Sequence, residues 1–420
     1  MALLAAPDQA LASDPEQPPV SGWVQYTAQG PEFRVVAAPG SDAACPSVSL
    51  DGQQTAMAPR AAASADFPLV CAIAIPAGTK SLRRGALDVA LPSPDPLRIL
   101  VLGDTGCRIK GTALQACNDP VAWPFAGLAR AAAALKPDLI VHLGDYLYRE
   151  SPCPADFAGC AGSPHGDNWA SWDADFFAPA APLLAAAPWV IIRGNHEDCA
   201  RAGLGFLRLL GPVAFDSAAP CIDHLEPYAV QAGGQAIAVT DTAFGSDQTV
   251  DDTVVALFRK DFDQLGAMAG PGGQLWLASH RPIWAAITGP LGIPIGGSVN
   301  LIEAAGDLKP LAPVSLMLSG HIHSFEAINY TTRNRVTLAP QIVAGHGGDN
   351  LDVTPANLKH AIFQGHSGVN VKDGLSVGGF GFLTMTREGA GWSIQLYDSA
   401  GVAGMTCAFA SGRLACVPPK

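Results

Sequence analysis

Apolar residues in this chain come in two textures, and the change between them falls near residue 96. Between Trp23 and Leu91, short apolar runs (Phe33 to Ala37, Val48 to Leu50, Leu69 to Ile75, Leu87 to Leu91) are separated by turns of Gly, Pro, Asp and Ser. That is the pattern of small strands. Pro92-Ser93-Pro94-Asp95-Pro96 follows, and alternating prolines favour an extended joint. Beyond it, compact apolar runs alternate with longer stretches whose apolar residues are spaced as on a helix. Strands are predicted at Arg98 to Leu102, Leu139 to Leu143, Trp189 to Ile192, Gln274 to Ala278 and Val314 to Leu318. Helices are predicted over Val121 to Leu135, parts of Asn168 to Ala187, and Asp251 to Met268. Near the end, Gly381 to Met385 and Trp392 to Tyr397 on either side of Gly389 predict a hairpin that covers the sheet. The expected division is a leader over 1–20 without periodicity, a small β-rich domain over 21–95 and an α/β domain over 96–420.

Composition narrows the class. With 49% hydrophobic and 15% charged residues over 420 positions, the chain can bury a large core. A formal charge of -12 argues against a surface that holds nucleic acid or an anionic membrane, both of which require dense Lys and Arg. The apolar stretches are broken by proline and too short to span a bilayer. Ten cysteines fall as neighbours at modest separations: Cys45 and Cys71, Cys107 and Cys117, Cys153 and Cys160, Cys199 and Cys221, Cys407 and Cys416. None forms Cys-x-x-Cys, so disulfides are favoured over a structural zinc site, with connectivity left open. A periplasmic or secreted protein is the expectation.

Candidate chemistry sits in five polar islands, each just after an apolar run: Gly103-Asp104-Thr105-Gly106, Gly144-Asp145-Tyr146-Leu147-Tyr148, Gly194-Asn195-His196-Glu197, Leu277-Ala278-Ser279-His280 and Gly320-His321-Ile322-His323. In open α/β sheets, ligands bind beyond the carboxyl ends of strands, so these islands can share one crevice. Asp104 offers a hard oxygen. Asp145 and Tyr148, three apart at a turn, can face one side, the carboxylate reaching two cations and the phenolate one. A phenolate favours a highly charged ion such as Fe(III). Asn195 adds an amide oxygen, and His196 beside it can reach a substrate instead. His321 and His323, two apart, can present one imidazole to each ion, and His280 completes the set. Singly, each is an ordinary turn or packing residue; in combination they point to metal-assisted hydrolysis. Arg193 and Arg281 flank the islands, where they could contact phosphate, and read first as solvated residues at strand ends. Glu197 and Asp198 read as residues that orient the turn or His196 rather than bind metal. His142, His165, His224, His360 and His366 carry no second feature.

The islands resemble, in order and spacing, those of the calcineurin-like metallophosphoesterases, and Gly-Asp-x-Gly with Gly-Asp-x-x-Tyr resembles the purple acid phosphatases in particular. The likeness runs from about Arg98 to Glu326, and Ile342 to Gly348 resembles the Gly-rich strand end found late in that family. It implies a four-layer α/β/β/α sandwich with a small N-terminal β-rich domain. It also implies that Asp104, Tyr148 and His323 bind Fe(III), that Asn195, His280 and His321 bind a divalent Fe, Zn or Mn, and that Asp145 bridges the two. Asn195, His196 and His346 would meet the substrate, a small phosphorylated molecule, with His196 as general acid. Two cations roughly 3.5 to 4 Å apart can lower the pKa of a bound water and absorb the charge of in-line displacement, so a metal-bound hydroxide is the expected nucleophile. The expected activity is phosphate monoester hydrolysis. A phosphodiesterase and a non-catalytic metal-containing binding protein are the alternatives.

Overall fold

The computed structural model describes residues 21–38, 44–270, 275–333, 338–365 and 368–417. The expected leader over 1–20, Gln274 and His366 lie outside the described residues.

Two large sheets stack face to face. In the first, Arg98–Leu102, Leu139–His142 and Trp189–Ile191 run parallel. In the second, Gln235–Thr240, Leu275–Ser279, Val314–Ser319 and Gln341–Ala344 run parallel. Strict alternation explains why these runs are apolar throughout. Ile99, Val101, Val190 and Ile192 meet Trp276, Ala278, Leu316 and Leu318 between the sheets. Their neighbours Leu100, Leu102, Trp189 and Ile191 face outward to Phe125, Leu128, Phe176 and Phe177. On the far side Leu275, Leu277 and Met317 pack on Val254, Phe258, Phe262 and Leu301. A strand covered on both faces has no polar side to show, and the outcome is the four-layer α/β/β/α arrangement.

The helices start where local chemistry lets them. Asp251 caps Asp252–Met268 by accepting from Thr253 N (2.8 Å) and Val254 N (3.3 Å), which satisfies two donors that the helix itself cannot. The helix predicted from Val121 begins instead at Phe125, because Pro124 disfavours helical backbone at Trp123. Between Asn168 and Ala187, the short helix Trp169–Trp172 leads through a π-helical turn, Asp173–Phe177, into Ala178–Leu184.

Two parts of the sheet expectation change. The C-terminal hairpin extends the first sheet rather than covering it: Gly381–Glu388 pairs antiparallel with Arg98–Leu102, Leu383 opposite Val101 and Met385 opposite Ile99. Its two faces are both apolar, with Leu383, Met385 and Ile394 turned to the space between the sheets and Phe382 to the helical side. Only a position in the sheet buries both. At the opposite edge, Ser21–Thr27 pairs in parallel with Trp189–Ile191 through Gln25 and Trp189, and continues into Gly30–Val36, Val70–Ala74 and Ala58–Ala61. The other strands of the 21–95 segment, Ser47–Leu50, Gln53–Ala56, Leu82–Arg84 and Leu87–Asp88, form a small sheet of their own. Polar side chains weld this edge to the fold: Gln25 Nε2 donates to Leu210 O (2.8 Å), and Arg34 donates to Leu209 O and Gly211 O (both 2.7 Å). Those carbonyls close the helix Gly203–Leu209, whose last C=O groups have no partner within the helix.

All ten cysteines pair as sequence neighbours in five disulfides, which suggests an oxidising environment. Among the described residues no helix is long and apolar enough to cross a membrane.

One buried carboxyl gives the fold a pH dependence. Glu326 is enclosed completely, and desolvation pushes it up to about 8, beyond what the Ala286 N–H (3.3 Å) and the Ser376 hydroxyl can offset. The unfolded chain releases this proton near 4.5 while the folded chain keeps it to about 8, so stability falls as pH rises between those values. The slope from this group is at most about 1.4 kcal/mol per pH unit. Melting temperatures of metal-free protein between pH 5 and 8 should show the decline, and Glu326→Gln should flatten it; identical slopes would mean that another group sets the dependence.

Candidate metal centre

Three site residues stand in the left-handed region: Asp104 (φ 57°), Asp145 (φ 59°) and His321 (φ 69°). Each costs about 1 kcal/mol or more there, and each is held by its neighbours. Asp104 N donates to Gly144 O (2.9 Å) and Thr105 N to Asp145 O (3.0 Å), locking the first two turns together. His321 N donates to both carboxylate oxygens of Asp104 (3.1 and 3.0 Å). Gly144 (φ 97°) has no room for a side chain, because a Cβ would lie 2.6 Å from His280 Nδ1.

The side chains converge from both sheets. Asp104, Asp145, Tyr148 and Asn195 follow strands of the first; His280, His321 and His323 follow strands of the second. Tyr148 Oη lies 3.1 Å from Asp104 Oδ1, 2.7 Å from Asp145 Oδ2 and 3.1 Å from His323 Nε2. Beside this group, His280 Nε2 lies 3.3 Å from Asp145 Oδ2, 3.0 Å from Asn195 Oδ1 and 3.3 Å from His321 Nδ1. Asp104, Asp145 and His323 form one group able to hold a cation, and Asp145, His280 and His321 a second. Asp145 belongs to both.

The electrostatics fit bound cations. Burial and the Asp145 and Asp104 carboxylates together push the Tyr148 phenol well above its ordinary range. Burial opposes charge on His280, yet Asp145 outweighs it and holds the imidazole up at about 9. His323 is likewise raised to about 10, burial being outweighed by Asp349 and Asp104. Protons thus accumulate on the ring nitrogens to balance buried carboxylates, in positions where a cation would balance them instead. His280 Nδ1 is engaged by Leu143 O (2.7 Å) and His323 Nδ1 by Asn350 O (2.7 Å), so each presents Nε2 inward. An imidazole fixed at one nitrogen and aimed with the other is the geometry of a metal ligand.

His196 sits outside this cluster. Its ring lies 3.9 Å from that of Tyr148 between centroids, its N–H donates to Asp145 Oδ1 (2.9 Å), and its Nδ1 lies 2.6 Å from Glu150 Oε1. Burial pulls the imidazole below its ordinary pKa, while Asp145 and Glu150 resist.

Several supporting residues carry no sequence pattern that would have marked them. Asp175, in the π-helical turn, accepts from Cys107 N (3.1 Å) and Tyr148 N (2.8 Å) and pairs with Arg149 (2.5 Å), so it fixes the turn that carries the phenol. Arg108 lies over the Tyr148 ring at 4.8 Å and pairs with buried Asp349. Asp247 lies 2.9 Å from His321 Nε2. His142, read as ordinary, ties the first two turns: its Nε2 is 3.0 Å from Thr105 Oγ1 and its Nδ1 accepts from Gly144 N (3.2 Å). Its place directly before Leu143-Gly144-Asp145 was the available signal.

Glu197 orients its turn, as expected, accepting from Gly194 N, Asp145 N, Tyr146 N and Leu147 N at 2.8 to 3.1 Å. Arg193 and Arg281 are buried rather than solvated. Arg193 donates to Glu197 O (2.7 Å) and Ile222 O (2.8 Å), and Arg281 to Thr242 O (3.0 Å). His346, expected to line the pocket, is not brought to the cluster. It is buried beside Phe325 and Gly381, and burial pulls it down to about 4. The backbone turns Gly345 toward Asp104 instead, where a Cβ would lie 2.7 Å from Oδ2.

Hard oxygen donors and imidazoles gathered at the strand ends of a four-layer sandwich define the class, a metal-dependent phosphoesterase. The sequence matches at the same level: residues 97–325 fit the family model of calcineurin-like phosphoesterases, more than half of the chain, and the chain belongs to that family. It is a hydrolase acting on phosphate esters. No curated protein matches it. Among solved structures, the purple acid phosphatase PPD1 from yellow lupin (Lupinus luteus) seeds is 14% identical, with 91% of this chain and 72% of that one covered and a TM-score of 0.52. PhoD is 12% identical, with 97% of this chain and 94% of that one covered and a TM-score of 0.57. At these identities the likeness is one of fold.

Proposed function

We propose that this chain is an exported dinuclear phosphatase that hydrolyses phosphate monoesters in the manner of a purple acid phosphatase. The observation that carries the reading is Tyr148: a buried phenol whose oxygen touches Asp104, Asp145 and His323 at 2.7 to 3.1 Å. Asp104, Tyr148 and His323 would hold the first ion, an Fe(III), and Asn195, His280 and His321 a divalent ion, with Asp145 between them. When bound, such a pair supplies an acidified water and neutralises phosphate charge during in-line displacement. The chain's own residues do the rest. Glu150 engages His196 Nδ1 and leaves Nε2 to give a proton to the departing oxygen; the buried carboxylate cluster excludes a second anion except where cations offset it. Export is supported by the five disulfides.

Metal analysis and a visible spectrum of purified protein test the first ion. A tyrosinate-to-iron charge-transfer band is expected, and Tyr148→Phe should abolish it while leaving the melting temperature of metal-free protein nearly unchanged. A colourless, fully metallated and active wild type would replace Fe(III) with a divalent ion. Faster turnover of a bis-nitrophenyl phosphate than of nitrophenyl phosphate would replace monoester by diester hydrolysis.

A further inference from the structure

The three imidazoles of the cluster are not anchored alike. The His280 and His323 side chains are 0% and 10% exposed, and each has its outer nitrogen held by a backbone carbonyl, Leu143 O or Asn350 O. The His321 side chain is 20% exposed and follows a left-handed backbone, so packing fixes its ring least. Its outer nitrogen, Nε2, is met by a side chain from a distant loop, Asp247 Oδ2 at 2.9 Å.

We infer that Asp247 is a positioning residue for the second ion: its carboxylate sets the ring and tautomer of His321 so that Nδ1 faces the site. The inference rests on the metal reading proposed above. A carboxylate that accepts from Nε2–H leaves the lone pair on Nδ1, and Nδ1 is the atom 3.3 Å from His280 Nε2; such an outer partner fixes the orientation of the ring. The carboxylate is itself held. Arg281 pairs with the same Oδ2, and Arg281 is fixed by Thr242 through its Nε to the carbonyl (3.0 Å) and its N–H to the hydroxyl (2.9 Å). Arg281 Nη1 stands 3.4 Å from His321 Nε2, too far to displace the shorter carboxylate contact. The loop around Asp247 is stiff at its backbone. Asn300 Nδ2 donates to Ser246 O (2.7 Å) and Thr249 O (3.0 Å), and Val299 N donates to Asp247 O (3.2 Å).

Calorimetric titration of metal-depleted protein with Zn(II) reads this directly. Wild type should show two binding events. In Asp247→Ala the event lost in His321→Ala should weaken by about 10- to 100-fold, with the other event unchanged. Asp247→Asn keeps the volume and guards against a folding defect; it should weaken the same event by a smaller factor. Unaltered affinity in both variants, or equal weakening of both events, overturns the assignment. Equal zinc binding by wild type and His321→Ala would instead overturn the metal reading itself.

Discussion

Asp145→Asn is expected to lower kcat/KM for nitrophenyl phosphate by on the order of 10³-fold, about 4 kcal/mol of transition-state stabilisation. The substitution keeps the shape of the side chain and removes one negative charge from the centre of the site. Asp145 Oδ2 is shared by Tyr148 Oη and His280 Nε2, and its Oδ1 by the His196 N–H, so no other residue can take its place between the two groups. Its carboxyl is held well below the ordinary range, burial being outweighed by His280 and His196, and this makes it an anion at any working pH. Without that anion, burial is left as the main influence on His280. The metal count should therefore fall below two per chain together with the rate. A variant that retained two ions and near-normal turnover would remove Asp145 from the bridging role.

His196→Ala should separate substrates by leaving group. For an alkyl phosphate, whose departing alkoxide needs a proton, kcat should drop by roughly 10²- to 10³-fold; for nitrophenyl phosphate the loss should stay within about tenfold. Metal content should not change, because the backbone N–H at 196, and not the ring, donates to Asp145. The pH profile adds an independent sign. Glu150 raises the His196 pKa, so Glu150→Gln should move the loss of the protonated acid, and with it the alkaline limb of kcat, to lower pH. Equal losses for both leaving groups would mean that His196 binds phosphate instead of donating a proton.

The parts of this molecule that were legible in the sequence are those set by neighbours along the chain. A buried strand flanked by helices must be apolar on both sides, so Arg98–Leu102 and Val314–Ser319 stand out, and the polar islands are visible as the places where such runs stop. The spacing of the cysteines favours disulfides, but which thiols join is set by the fold. What could not be read depends on contacts between distant segments. Nothing in Ser21–Thr27 announces that Gln25 will lie opposite Trp189, and the apolar faces of Gly381–Glu388 fit a cover or an edge equally well until Arg98–Leu102 needs a partner. Asp247 and Asp175 are single carboxylates in stretches without motif, and only their distances to His321 and Tyr148 distinguish them. His346 shows the opposite case: Gly345 beside it is what approaches Asp104, while the imidazole packs beside Phe325 and Gly381.

Because donors reach the centre from both sheets, each proposed ion would be a cross-link between the two halves of the sandwich. The first would join Asp104 and Tyr148 to His323, and the second Asn195 to His280 and His321. Neither set exists until residues more than a hundred positions apart have come together, so binding draws only on the assembled chain and adds to its stability by RT ln(1 + [L]/Kd). On this reading the metal-free protein is two sheets in contact but not yet clasped.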